Sequence, residues 1–188
     1  ATTADFFAMF DVPFLYGGGW DALADRDRAP VIVLSREMND RLFGGEDSVG
    51  RQVQSGETLL TVVGVIDTWR PVPRFYDLRS GNAFRDDDDV FVPLLLLERH
   101  AQRWQPSGDV NCWQAPPQEG LLQSECVLSQ FWVELTDAVA VQEYRAFLDA
   151  YVNEQKRLGR FPRPLNNRRS YGNQRLDRHE EATADNRH

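Results

Sequence analysis

Positive charge is what this chain is short of: 21 lysines and arginines stand against 29 aspartates and glutamates, for a formal net charge of −8. That deficit removes the counterion release that drives most binding to nucleic acid, so no nucleic-acid partner is expected. Long apolar runs are missing too. Runs such as Leu59 to Ile66 fall far short of the roughly 20 residues that span a bilayer, and no basic-then-apolar leader opens the chain. Histidine is scarce: there are three, and His179 and His188 lie in a polar tail, which leaves His100 alone in the body. Neither a multi-histidine metal centre nor a histidine-activated nucleophile can be assembled from that. The two cysteines, Cys112 and Cys126, are spaced too widely for a Cys-x-x-Cys redox or zinc motif. In an oxidising compartment they would close a loop of about 15 residues and stabilise the fold by ~3 kcal/mol, whereas in a reducing one they are two separate thiols.

What is present is an ordinary core. A chain of 188 residues with 41% hydrophobic composition buries roughly 70% of its extended surface on folding, enough for one or two domains without a stabilising metal. Asp5 to Tyr16 carries Phe6, Phe7, Met9 and Phe10 on one helical face before Val12 and Pro13 force an extended segment. Gly17 to Gly19 predict a tight loop, and the polar mixture from Asp21 to Arg28 reads as an exposed connection. Pro30 to Leu34 is a β-branched run too apolar for a half-exposed sheet. Ser35 then caps a helix whose apolar positions are Met38, Leu42 and Phe43, and which Gly44 and Gly45 end. From Val49 the period becomes two: Val49, Arg51 and Val53 lead through a Ser55-Gly56 turn into the strand from Leu59 to Ile66, a hairpin.

Beyond Pro71 and Pro73 a loop runs to the four aspartates Asp86 to Asp89, a strand resumes at Val90 to Pro93, and Leu94 to Trp104 reads as helical. Residues 105 to 120, rich in Pro, Gly and Gln, form a surface excursion. Phe131 to Leu135 has a strand pattern. Thr136 or Asp137 then caps the longest helix, over 138 to 158, with Val141, Tyr144, Phe147, Leu148, Tyr151, Val152 and Leu158 at helical spacing. Up to residue 159 the net charge is −11, and from 160 to 188 it is +3. The tail is basic and nearly devoid of apolar residues, with little core of its own. The fold class is therefore α+β: a mixed sheet with strand–helix units, a β-hairpin and one long C-terminal helix.

No catalytic residue, cofactor site or metal ligand emerges. An EF-hand counted from Asp86 needs Gly and Glu where Phe91 and Leu97 stand, so the aspartate run reads as a solvated, self-repelling loop. Gly17 to Gly19 are followed by no Gly-Lys-Ser/Thr, and any ATP chemistry lies on another chain. Ser35 lacks the flanking glycines of a nucleophile elbow, having Val33 and Glu37 in their places. Trp104, Trp113 and Trp132 are the residues that a sugar or peptide groove would use, although aromatics among strands more often fill a core.

The order of segments carries more information. "DFFAMFDVPFLYGG", then "APVIVLSREMNDRLFGGEDSVGRQV", then "LLTVVGVID" resembles the MacB-like periplasmic core domain of FtsX-type ABC transporter permeases. The matching residues are Asp5, Phe6, Phe7, Val12, Pro13, Ser35, Leu42, Phe43, Gly44, Val49, Gly50 and Val62 to Val65. The resemblance weakens through 70 to 130 and returns with "FWVEL" and the long helix. It implies an inserted mixed α/β subdomain over 1–130, a porter-like strand–helix element over 131–165 and a polar basic tail over 166–188. In that family a further porter-like unit and a transmembrane helix precede the "DFF" position, so the chain looks like an excised extracytoplasmic fragment.

The resemblance further implies a non-catalytic domain at the periplasmic face of a bacterial inner membrane. It would transmit ATP-driven movement to a substrate or partner outside, with the long helix packed on the 131–135 strand as a lever. The implied partners are a cytoplasmic ATPase subunit, a second permease copy and a periplasmic adaptor or substrate protein. A periplasmic setting implies that Cys112 and Cys126 form a disulfide. The alternative is a stand-alone extracytoplasmic ligand-binding or sensing module.

Overall fold

The computed structural model describes residues 1–72, 74–76, 88–96 and 131–159. The chain divides into two compact units, one made of Ala1–Val72 with Phe84–Gly108 and the other of Pro73–Ala83 with Asp109–His188.

The first unit is a mixed sheet with helices on it. Its described elements are α1 (Asp5–Met9), β1 (Phe14–Gly17), α2 (Ala22–Arg26), β2 (Val31–Leu34), α3 (Arg36–Phe43), β3 (Gln52–Ser55), β4 (Thr58–Ile66) and β5 (Val90–Phe91). Strand β4 is the spine. Parallel to it runs β2, with Val31 opposite Thr61 and Leu34 opposite Val65. Both β3 and β1 pair with it antiparallel. Since Thr61 pairs with Val31 as well as Gln52, and Val65 with Leu34 as well as Tyr16, β3 and β1 share the flank of β4 that β2 leaves open. On its far side β2 pairs antiparallel with β5, and Thr2 extends the sheet through a parallel bridge to Pro93.

The parallel β2–β4 pair requires a crossover, which α3 and β3 supply. It also explains why "PVIVL" is continuously apolar. Val33 packs with Phe7, Val12, Trp20, Ile66 and Phe91 on one face of the sheet, while Ile32 and Leu34 pack with Leu60, Val62, Val65 and Leu96 on the other. Burial on both faces removes the polar half of the usual alternation. Full burial of each such valine or leucine contributes roughly 1.5–3 kcal/mol. A bulge at Val63, where the register with β2 skips from Val62 to Gly64, lets Val62 and Val65 share a face despite their odd spacing.

Local signals place the ends. The Ser35 hydroxyl accepts from the Met38 amide at 3.1 Å, and Gly44 closes α3 at φ 67° in the left-handed region. Gly56 and Glu57 form the hairpin loop between β3 and β4, one residue later than the predicted Ser55-Gly56. Leu42, placed by spacing on the apolar stripe of α3, is exposed.

Two expectations are corrected. The segment from Asp21 to Arg28 is not a mere connection, because Ala22–Arg26 forms α2, capped by the Asp21 carboxylate on the Ala24 amide at 2.8 Å. Phe131 to Leu135 forms no strand: an alternating pattern makes a strand only where a ladder partner takes its backbone hydrogen bonds, and no described strand does so. Phe131 is 72% exposed, against what a core strand requires. The long helix of the second unit therefore does not rest on a 131–135 strand.

That helix, α4 (Ala138–Arg157), starts where the Asp137 carboxylate accepts from the Ala140 amide at 2.8 Å, carries Lys156 and Arg157 in its last turn, and is followed by Gly159 at φ 79°. None of its residues is fully buried. Among the described residues no helix is long and apolar enough to cross a membrane. The predicted helix from Leu94 is described only for a single turn over 94–96, and the tail from 160 lies outside the described residues.

Candidate functional site

Several described polar residues of the first unit bond to the fold itself. Ser35 spends its hydroxyl on the helix cap. Of the aspartate run, 86 and 87 lie outside the described residues. Asp89 lends its carbonyl to the Ser35 amide at 2.8 Å and its carboxylate to Arg41 at 2.7 Å. Among the described residues no group of three or more histidines, cysteines, aspartates and glutamates could hold a metal ion. Cys112, Cys126, His100, Trp104 and Trp113 all lie outside the described residues.

Three tie points make the unit one body. At the first, the Asp25 carboxylate accepts from the Ala4 amide at 2.6 Å with one oxygen and from Trp20 Nε1 at 2.8 Å with the other. One ionised group thus gathers the N-terminal segment, α2 and the indole that packs edge-on against Phe7 at 4.9 Å. The Phe6 ring contacts Phe7, Phe10, Trp69 and Phe91 at 5.0 to 5.9 Å between centroids, so the aromatic end of the sheet interlocks.

The second tie lies in the loop from α3 to β3. Asn39 and Ser48 are both wholly buried. Ser48 Oγ donates to Asn39 Oδ1 at 2.6 Å, and Asn39 Nδ2 donates to the Glu46 carbonyl at 3.0 Å. Tyr16 of β1 donates to the Gly45 carbonyl at 3.2 Å from the opposite side of the loop. The loop "FGGEDSVG" is therefore bonded to the helix before it and to a strand of the sheet. The third tie is ionic. Arg36 pairs with Asp67 at 2.6 Å, Arg41 with Asp89, and Arg70 with Glu37. These pairs are exposed, each worth no more than about 1 kcal/mol, yet together they fix α3 to segments at both sides of its own strand.

In the second unit Trp132 is half-buried and donates its indole N–H to the Tyr76 carbonyl at 3.2 Å, while Arg74 Nε donates to the Tyr76 hydroxyl at 3.0 Å. On α4, hydrogen bonds from the Arg157 guanidinium at 2.7 and 2.9 Å hold Glu154 below the usual carboxylate range, and Glu154 in turn raises Arg157.

These polar groups bond to one another and to the backbone of neighbouring segments, and so hold the segments of each unit in place. Sequence reasoning missed Asp25, Asn39 and Ser48. For Asn39 a signal existed, since it lies beside Met38 and one turn from Ser35, on the side of α3 that faces the sheet. Asp25 gave none, because the Ala4 amide it holds lies 21 residues away and nothing in the sequence marks that contact.

Comparison with known proteins bears on what the shape is for. The family described as the MacB-like periplasmic core domain matches residues 1–151. Among solved structures the chain is similar to the periplasmic region of MacB from Actinobacillus actinomycetemcomitans, at 14% identity and a TM-score of 0.38, over 50% of this chain and 36% of that one. The chain therefore spans about a third of the length of that region. No curated protein matches it.

Proposed function

The chain belongs to the MacB-like periplasmic core domain family, and from that premise we propose that it is the extracytoplasmic part of an ABC transporter permease subunit. It is non-catalytic and stands at the periplasmic face of a bacterial inner membrane. It transmits the conformational change driven by a cytoplasmic ATPase subunit to a substrate or adaptor protein outside, and works with a second copy of the permease. The observation that carries this reading is the family match over residues 1–151. Tie points that bind the N-terminal segment to α2, and α3 to its following loop, to β1 and to the segments after β4 and before β5, support a mechanical role, because force entering such a body is passed on rather than absorbed in loops. Residues 1–130 act as the inserted subdomain, and 131–165 as the element leading back toward the porter-like part.

A topology measurement on the full-length protein tests it. An alkaline phosphatase fusion placed within this domain should be active and a fluorescent cytosolic reporter at the same point dark. The reverse result would end the proposal.

The periplasmic setting carries a second expectation, a disulfide between Cys112 and Cys126. Non-reduced protein made in the periplasm should have an intact mass two hydrogens below that of the free dithiol, and should take up thiol reagent only after reduction. Two freely alkylated thiols would count against both the bridge and the compartment.

A further inference from the structure

The exposed face of α4 carries large apolar side chains. Along its 20 residues, about 30 Å of rod, Val141, Leu148, Val152 and Gln155 are half-buried, as are Ala140 and Tyr144 at the edge of the open face, while Glu143, Phe147, Ala150, Tyr151, Glu154, Arg157 and Leu158 are exposed. Phe147 is 59% exposed, Tyr151 49% and Leu158 57%. The rings of Tyr144, Phe147 and Tyr151 stack along the rod at 6.0 and 6.3 Å with 27° between planes. Phe147 and Tyr151 of this ladder face solvent, with Tyr144 half-buried beside them, and large exposed apolar side chains mark contact surfaces. The spacing of Ala140, Tyr144, Phe147, Tyr151, Glu154 and Leu158 alternates four and three, the seam of a helix pair.

The seam is complementary to itself in one orientation. With two copies antiparallel about the middle of α4, Phe147 meets the partner's Tyr151, Tyr144 meets the partner's Glu154, and Ala140 meets the partner's Leu158. Every layer occurs twice by symmetry. The central layers are aromatic. The flanking layer sets a phenol donor against a carboxylate acceptor, and the outer layer sets small against large. At the rim, Glu143 lies opposite the partner's Arg157, which already engages its own Glu154. A parallel pairing in register would instead oppose Glu154 to its own copy.

We infer that α4 is a self-association surface, pairing antiparallel with α4 of a second copy of this chain through Phe147 and Tyr151. The inference gives a surface to the second copy in the reading above and so deepens that reading. Its test reads the chain alone, and the topology test reads the compartment, so either can fail by itself. One helix pair covers less than the roughly 1,600 Å² of a standard interface, so association in dilute solution is weak, with Kd about 100 μM. Tethering both copies in one membrane raises their effective concentration well above that.

Sedimentation equilibrium of the 188-residue chain over a concentration series tests it. The expected result is a monomer–dimer equilibrium in which Phe147→Glu, at an exposed position, raises Kd by at least ~10-fold with the far-ultraviolet circular dichroism unchanged. Glu143→Arg and Arg157→Glu should each weaken self-association, and an equimolar mixture of the two should form a heterodimer tighter than either variant alone, since only there does every rim pair have opposite signs. A monomer up to about 1 mM would assign the ladder to a helix of another protein and overturn the proposal. So would a dimer indifferent to Phe147→Glu, or a mixture that associates no better than its components.

Discussion

Replacing Gly64 by alanine should cost about 4 kcal/mol or more and leave little folded protein at ambient temperature. Gly64 lies within β4, paired with Gly17 of β1 on one side and Val33 of β2 on the other. A Cβ there would come within 2.3 Å of the Gly18 carbonyl oxygen and 2.9 Å of its carbonyl carbon and amide nitrogen. All three are backbone atoms, so no rotamer change relieves the contact. The Gly18 segment cannot withdraw cheaply either, since the Gly18 amide donates to the Val63 carbonyl at 3.2 Å and a Cβ on Gly17, at φ 60°, would itself approach that carbonyl to 2.2 Å. Two backbones touch at this point because neither has a side chain. The control is adjacent: a Cβ on Gly18 meets nothing within 4 Å, so Gly18→Ala should stay within about 0.5 kcal/mol of the parent. Urea unfolding of the pair gives the comparison directly, because the midpoint shift at constant slope reports stability. Equal, small shifts for both variants would mean that β1 and β4 are not in this contact.

The same glycines show where a one-dimensional reading stops. Three in a row suggest a loop free to turn, and the sequence around them gives no other reason for their presence. For Gly17 the reason is a strand far along the chain, visible only once β1 and β4 are aligned. By contrast β2, α3 and the hairpin were legible because each signal is local: a β-branched run, Ser35 three residues before the amide it caps, Gly44 at a left-handed stop, and a change of period from 3.6 to two. Local rules failed where tertiary contacts decide. Helix α2 has five residues, too short to form alone, and it exists because Asp21 caps it and Asp25 is held by Ala4 and Trp20. "FWVEL" failed in the opposite sense, since alternation is necessary for a strand but the ladder is made by a partner. The family resemblance succeeded because it depends on the order and spacing of several local signals together. It specified a scaffold and no reactive group, and the tie points at Asp25 and Asn39 had to be read from the structure.

Asn39→Ala should destabilise the first unit by about 3–5 kcal/mol, the largest effect expected of any polar truncation in it. Three terms act in the same direction. Two hydrogen bonds disappear, from Ser48 Oγ at 2.6 Å and to the Glu46 carbonyl at 3.0 Å. The Ser48 hydroxyl is left in a wholly buried position without its acceptor, and burying an unsatisfied polar group costs more than the bond was worth. A small void also opens beside α3. Removing the hydroxyl as well should recover part of the loss: Ser48→Ala in the Asn39→Ala background deletes the orphaned donor, so the double variant should be less unstable than the sum of the two singles by about 1–2 kcal/mol. A thermal-unfolding double-mutant cycle measures that coupling. Simple additivity would show that the two side chains do not form a shared buried pair. The position of the pair explains why the coupling matters beyond stability. Asn39 and Ser48 close the loop between the crossover helix and the hairpin. Without them, Tyr16 to Gly45 remains as a side-chain bond to that loop from the sheet, and the Gly50 amide still donates to the Val62 carbonyl of β4 at 2.8 Å, so the loop between α3 and β3 loosens at its α3 side. On the reading proposed above, a body that relays movement loses stroke where this loop loosens, and Asn39→Ala in the full-length protein should reduce transport more than it reduces the ATPase rate.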